Sequence, residues 1–203
     1  MIKSTLGMIL LSTLLGCAST QQITLSSDEL KPLKQYAKIT SVTTDGFSVD
    51  ISQVTDLREN QKNIGLAYTG FTDSKTAIEF NVPLESIVKE QLKKAFKQRG
   101  IGISASGEYI LSAQIEKFWL EEITTGLGPR EYECEVKMNF NINTKAKAKS
   151  KWSGSFWSKI TSGTENQEGR DKKSATIASC LNQVVEKLIR DKWLQSLTQM
   201  RIK

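Results

Sequence analysis

The 203-residue chain contains no histidine, only three prolines and only three cysteines. Without an imidazole there is no ready general base, proton shuttle or nitrogen metal ligand near neutral pH. Ser-His-Asp and Cys-His catalytic arrangements are therefore excluded. Cys134 and Cys180 are too few to build a zinc site with no histidine to join them, so neither a metal nor a cofactor is expected. Long apolar runs are scarce as well. The longest, from Thr5 to Leu15, falls well short of the ~20 residues a membrane-spanning helix needs. Charge is only mildly one-sided, with 28 Lys and Arg against 22 Asp and Glu, a net of +6. That excess permits weak attraction to anionic head groups or envelope polymers and does not by itself call for nucleic acid.

What is present at the N-terminus is distinctive. Met1-Ile2-Lys3 supplies a small positive segment, and Leu6, Met8, Ile9, Leu10, Leu11, Leu14 and Leu15 make an apolar one of the length found in export signals. It ends in Leu14-Leu15-Gly16-Cys17, which matches the bacterial lipobox. The spacing serves the chemistry: the Cys17 thiolate attacks a lipid glyceryl carbon, and the small Gly16 lets a peptidase reach the adjoining bond. This predicts residues 1–16 as a removed leader and Cys17 as an acylated N-terminus. The lipid is then the expected membrane attachment, since each buried methylene contributes about 0.8 kcal/mol and several chains together hold firmly. An exported, anchored chain also has no expected nucleic-acid partner.

Residues 17–34 are polar and aperiodic and read as the acylated end plus a flexible tether; residues 35–203 read as a single domain. Within it, Phe47, Val49 and Ile51 alternate with polar residues, and Ile64, Leu66 and Tyr68 follow after a polar turn, so these two runs read as a hairpin with a long loop. A helix is expected between Asn81 as N-cap, with Pro83 in the first turn, and Gly100 past the C-terminus. Leu84, Ile87, Val88, Leu92, Ala95 and Phe96 form its apolar stripe. In Glu108–Glu122 the apolar parity flips between Ile115 and Phe118, which predicts a bulge. Glu131–Thr144 alternates cleanly, with Tyr132, Cys134, Val136, Met138 and Phe140 on one face. A third strand carries Trp152, Gly154, Phe156 and Ile160, and a closing helix runs from about Ser174 to Leu197 with a stripe that includes Leu181, Val184, Leu188 and Trp193. The order β-β-α-β-β-β-α predicts an α+β two-layer sandwich, a mostly antiparallel sheet covered by two amphipathic helices.

Few constellations carry chemistry. Glu121-Glu122 and Glu131, Glu133 and Glu135 are carboxylate groups, the latter on a strand's solvent face, where structural roles are the ordinary reading. Gly126-Leu127-Gly128-Pro129 reads as a turn, because no helix or P-loop lysine follows. Asp56-Leu57-Arg58 sits at a strand end, where the acid and the arginine read first as a structural ion pair and otherwise as a pair facing a groove. Lys145, Lys147, Lys149 and Lys151 recur at every second position. They read first as charges that keep a strand edge from pairing, and also as a possible contact for anionic envelope material. Trp157 has the opposite parity to Trp152 and Phe156 and is a candidate exposed partner contact. Cys134 and Cys180 lie on or beside apolar faces, where they could form a disulfide or remain two small buried hydrophobes.

Taken together, the lipobox, Asp56-Leu57-Arg58 at a strand end, the nearby Ile64-Gly65, and a helix ending Gln98-Arg99-Gly100 before a long strand resemble the YajG-like family of small envelope lipoproteins. The order of elements is also similar to that of auxiliary lipoproteins of ABC-type lipid-transport systems. The first resemblance implies a non-catalytic binding or assembly module, not an enzyme, whose partner is an envelope protein or polymer. The second implies a cavity between sheet and helices, near Phe96, Tyr109 and Trp152. By the sorting pattern of such lipoproteins, Ala18 after Cys17 implies anchoring in the outer membrane, facing the periplasm.

Overall fold

The computed structural model describes residues 20–24, 48–69, 74–123, 130–162, 171–192, 194 and 196, and for 147–150 the backbone alone. Cys17, Gly126–Pro129 and Trp193 lie outside the described residues. The elements are β1 Gln21–Ile23, β2 Ser48–Asp56, β3 Asn63–Tyr68, β4 Lys75–Phe80, α1 Leu84–Gln98, β5 Gly102–Ile103, β6 Tyr109–Glu122, β7 Tyr132–Thr144, β8 Lys147–Thr161 and α2 Lys172–Ile189. The strands form one eight-stranded sheet. Both helices lie on one of its faces, α1 against β2 and α2 against β7 and β8, and they touch each other. The α+β two-layer class is as expected; the strand count is higher.

The expected hairpin is corrected. β2 and β3 do not pair with each other. Both run parallel to β6 along the same edge, Val49 to Asp56 beside Tyr109 to Ile115, then Gly65 and Leu66 beside Leu120 and Glu121. Parallel neighbours require the chain to return before pairing, and α1 is the return. The antiparallel part is the β6-β7-β8 meander together with β3-β4. β4 was not expected because Lys75–Phe80 is short and only Ile78 of the strand is fully buried. β1 corrects the expected tether, since Gln21–Ile23 pair parallel with Ile78–Phe80 and Ile23 joins the core. A three-residue edge strand is too short to show periodicity, so nothing in its polar flanks announced it.

The α1 boundaries follow from local chemistry. The helix begins two residues later than expected, with Pro83 rather than Asn81 at the N-cap. The proline ring holds φ at −56°, and its carbonyl accepts from Ser86 and Ile87 N–H. Asn81 N–H is instead donated to Ile23 O, tying β1 down. At the other end Gly100 takes φ +75°, Gly100 N–H donates to Lys97 O and Ile101 N–H donates to Phe96 O, a Schellman closure. α2 is capped by Asp171, whose carboxylate accepts from Lys173 N–H, and its continuous run ends at Ile189; after Arg190–Asp191, Lys192, Leu194 and Ser196 are again helical, toward the expected end at Leu197. The core lies between the helices and the inward residues of the sheet, with Val88, Leu92, Phe96, Leu111, Phe118, Phe140, Leu181 and Val184 essentially inaccessible. The predicted bulge is present between Ile115 and Lys117, and it keeps Phe118, Leu120 and Glu122 on the buried side.

Gly65 is the tightest backbone approach where β3 meets β6. A Cβ there would stand 1.9 Å from the Leu120 carbonyl oxygen, which is backbone and cannot swing aside. Gly65→Ala is expected to destabilise the protein by about 2–3 kcal/mol through this overpacking. A drop in the urea unfolding midpoint with an unchanged slope checks it.

Candidate functional site

Asp56 and Arg58 occupy the point where β2 ends and the chain leaves the sheet. Both side chains are buried, at 2% and 6% exposure. Arg58 forms a fork on Asp56, with Nη2 to Oδ2 at 2.7 Å and Nε to Oδ1 at 2.9 Å. Its remaining donors reach Asn63 O at 2.9 Å, Gln61 O at 3.0 Å and Phe118 O at 3.2 Å. These carbonyls belong to the gap between β2 and β3, where backbone acceptors lack a strand partner and must be satisfied another way. The pair therefore has a structural role, satisfying backbone acceptors at this gap.

The other carboxylates are occupied as well. Glu122 is buried and accepts from Tyr68 N–H at 3.0 Å, with Arg130 at 3.5 Å. Glu121 pairs with Lys75 at 2.6 Å and Glu133 with Lys159 at 2.8 Å. The Lys117 ammonium, and then the Trp157 indole, hold the Glu135 carboxyl below its ordinary range. Lys137, and then Asn139, do the same for Glu116. Among the described residues no group of three or more Asp, Glu or Cys is placed to hold a metal.

Cys134 on β7 and Cys180 on α2 are brought together in the core as free thiols. Cys180 donates to Cys134 O at 3.2 Å, and burial pushes the Cys134 thiol well above its ordinary range. Here they act as packing groups that join helix to strand.

The face of the sheet turned away from the helices is open among the described residues. Its character changes midway along the strands. Toward one end it carries the ion pairs above. Toward the other, two rows of uncharged polar side chains cross four strands in register. One row is Gln53, Ser112, Asn141 and Ser153; the next is Thr55, Gln114, Asn139 and Ser155. Together they line a shallow concavity of about 600 Å³. Ser112 donates to Gln53 Oε1 at 2.6 Å, which leaves the Gln53 amide group to point its donors elsewhere. At the margin of the same concavity, Asn143 Oδ1 is shielded from solvent and has no hydrogen-bond partner among the described residues.

Trp157 lies next to the second row, two residues from Ser155 on the same face, and is 49% exposed. Its indole N–H donates to Glu135 Oε1 at 2.9 Å, which fixes the ring. The lysine run is less regular than its spacing suggests. Lys145 sits in the turn, 3.8 Å from Asp50, and register shifts between Ile142 and Thr144 break the alternation of β8 opposite them. Lys151 is exposed, and the side chains of Lys147 and Lys149 lie outside the described residues. Trp152 and Phe156 stack against each other on the core side, as expected. A second concavity, of about 340 Å³, lies between Asp56, Gln61, Glu79 and Pro83. Neither concavity is lined by Phe96, Tyr109 or Trp152, and Phe96 is fully buried. The neutral rows were not singled out from sequence. The visible signal was the change of outward residues along β7 from Glu and Lys to Asn139, Asn141 and Asn143; the alignment with Gln53 and Ser153 exists only in the sheet.

The profile of a family described as uncharacterized lipoprotein matches residues 35–199. The chain belongs to this lipoprotein family. No curated protein matches the lipoprotein's sequence. Among solved structures it is similar to a Xanthomonas campestris protein of the DUF330 family, at 12% identity and TM-score 0.58, covering 83% of this chain and 95% of that one. It is also similar to an uncharacterized protein, at 11% identity and TM-score 0.47, with 72% and 98% covered. A minor lipoprotein from Acinetobacter baumannii matches at 11% identity and TM-score 0.39, with 73% and 94% covered. The first of these likenesses shows a shared fold. Membership of a lipoprotein family goes with a membrane-anchored place in the envelope, and no described helix is long and apolar enough to cross a membrane.

Two outcomes follow from these side chains. Arg58→Met is expected to cost about 3–5 kcal/mol, because it strands a buried carboxylate and orphans three carbonyls. Arg58→Lys should fall in between, since an ammonium cannot reproduce the fork; urea unfolding of the two variants measures both. For Cys134 and Cys180, alkylation without reductant should label neither in the native protein and both after denaturation. A disulfide between them would give no label in either state.

Proposed function

We propose that this lipoprotein is a non-catalytic binding or assembly module, held by lipid on Cys17 at the periplasmic side of the outer membrane. Its partner is an envelope protein or polymer. The single observation that carries the binding role is the one-sided sandwich: both helices cover one face of the sheet, and the opposite face offers a concavity of about 600 Å³ lined by polar side chains. Several features of the residues support the rest. Leu14-Leu15-Gly16-Cys17 precedes the folded part, and Ala18 follows the cysteine. The carboxylates described above are held in structural pairs, so a reading as an enzyme has no residue to assign. Trp157 and Lys151, both exposed, stand on strand β8, beside or near the concavity, as further partner contacts.

Radiolabelled palmitate should mark the wild-type chain and leave Cys17→Ser unlabelled, with the wild type sedimenting with outer membranes. Ala18→Asp should shift the labelled protein to the inner membrane. Label retained by Cys17→Ser, or a wild-type chain recovered in the cytoplasm, would sink the anchored reading.

A further inference from the structure

We propose that the neutral half of the uncovered sheet face binds an uncharged polyhydroxylated chain, a neutral glycan. The proposal rests on the reading of the protein as a binding module and supplies the ligand class. The first argument is composition in register. The two rows contain amides and hydroxyls alone, although the same strands carry ion pairs a few residues further on. A solvent face needs no such uniformity, because charged residues serve solubility better. Amide side chains present a donor and an acceptor side by side, and hydroxyls do both from one atom. Vicinal sugar hydroxyls have the same paired character, so Asn and Gln can engage two of them at once. The row residues themselves carry no formal charge, although Asn139 donates to the Glu116 carboxylate at their margin, and a neutral polyhydroxylated ligand can replace the water hydrogen bonds of these groups with its own.

The second argument is shape. Four strands at ~4.8 Å spacing make each row about 14 Å long, the length of about three pyranose rings laid across the strands. A ligand lying on this face extends no backbone ladder, although β8 at its margin is a sheet edge among the described strands. Nor do the rows contain apolar pockets for peptide side chains. The third argument is Trp157. Its N–H is spent on Glu135, and the half-exposed ring stands opposite Lys137 in the row adjoining Asn139 and Ser155, where its face can meet the C–H face of a sugar.

The test is calorimetric titration of the full acylated chain in detergent with two uncharged probes, chitotetraose and maltohexaose. At least one should bind, with an affinity that changes less than about twofold from low to high salt, since no ion pair is made. Asn141→Asp, Gln114→Glu and Trp157→Ala should each weaken binding by about tenfold, each removing one hydrogen-bonding or stacking group. Glu90→Gln, on the exposed side of α1, should leave it unchanged. Retained circular dichroism and melting temperature in the Asp and Glu variants separate loss of binding from loss of fold. The proposal is overturned if neither probe binds, if a polygalacturonate oligomer binds better than both, or if photo-cross-linking from position 141 in cells captures a polypeptide. Those outcomes leave the anchored-module reading intact when palmitate labelling of Cys17 holds; loss of that labelling sinks the anchored reading whatever the titration shows.

Discussion

Arg58 holds together a sheet that would otherwise come apart in the middle. β6 is long enough to take two parallel partners on one edge, β2 along its first half and β3 near its end. Between them the chain must bulge out and return, and a gap of that kind leaves carbonyl groups without strand partners. Five guanidinium hydrogens in a fixed plane suit this gap better than any other side chain. Arg58 spends part of them on Asp56 and the rest on Asn63 O, Gln61 O and Phe118 O. Asp56 cancels a charge that could not be buried alone. The placement of β2 depends on this, and with it the placement of Gln53 and Thr55 beside Ser112 and Gln114.

With β2 so placed, the rest of the architecture follows from one-sided burial. The stripes of α1 and α2 close over the inward residues of β2, β6, β7 and β8, and a buried Gln91–Asn182 hydrogen bond joins the two helices. Cys134 and Cys180 fill the seam between β7 and α2. Among the described residues nothing covers the other face. Half of that face is satisfied by cross-strand ion pairs, individually worth little. The other half consists of groups that can hydrogen-bond in either direction and carry no charge. The division runs across strands rather than along one, so it is a property of the sheet.

Much of the fold was legible. Regular alternation in β7 and a helical stripe in α1 are strong signals because long elements repeat their period many times. The parity flip between Ile115 and Phe118 announced the bulge, since a strand cannot change face without an extra residue. Gly100 marked the end of α1 because only that position demanded a positive φ. The short strands escaped. β1 is polar outside Ile23 and β4 is only six residues long, with Ile78 its one fully buried residue, and each pairs because β3 offers an edge to β4 and β4 one to β1. The start of α1 was misplaced by two residues because Asn81, a good cap by type, is engaged by β1.

By itself the sequence carried the Leu14-Leu15-Gly16-Cys17 pattern from which export and lipidation are expected, the lack of histidine, the amphipathic helices and the alternating strands of the meander, because each is written in neighbouring residues. It also placed Asp56 and Arg58 close enough to pair. Only the tertiary structure decided that β2 and β3 lie parallel to β6, that Arg58 serves carbonyls from Gln61 to Phe118, and that Cys134 meets Cys180. It alone assembled Gln53, Ser112, Asn141 and Ser153 into a row. Those residues are separated along the chain by whole strands and a helix, and register between strands is set by packing of the entire sheet, which no local pattern records.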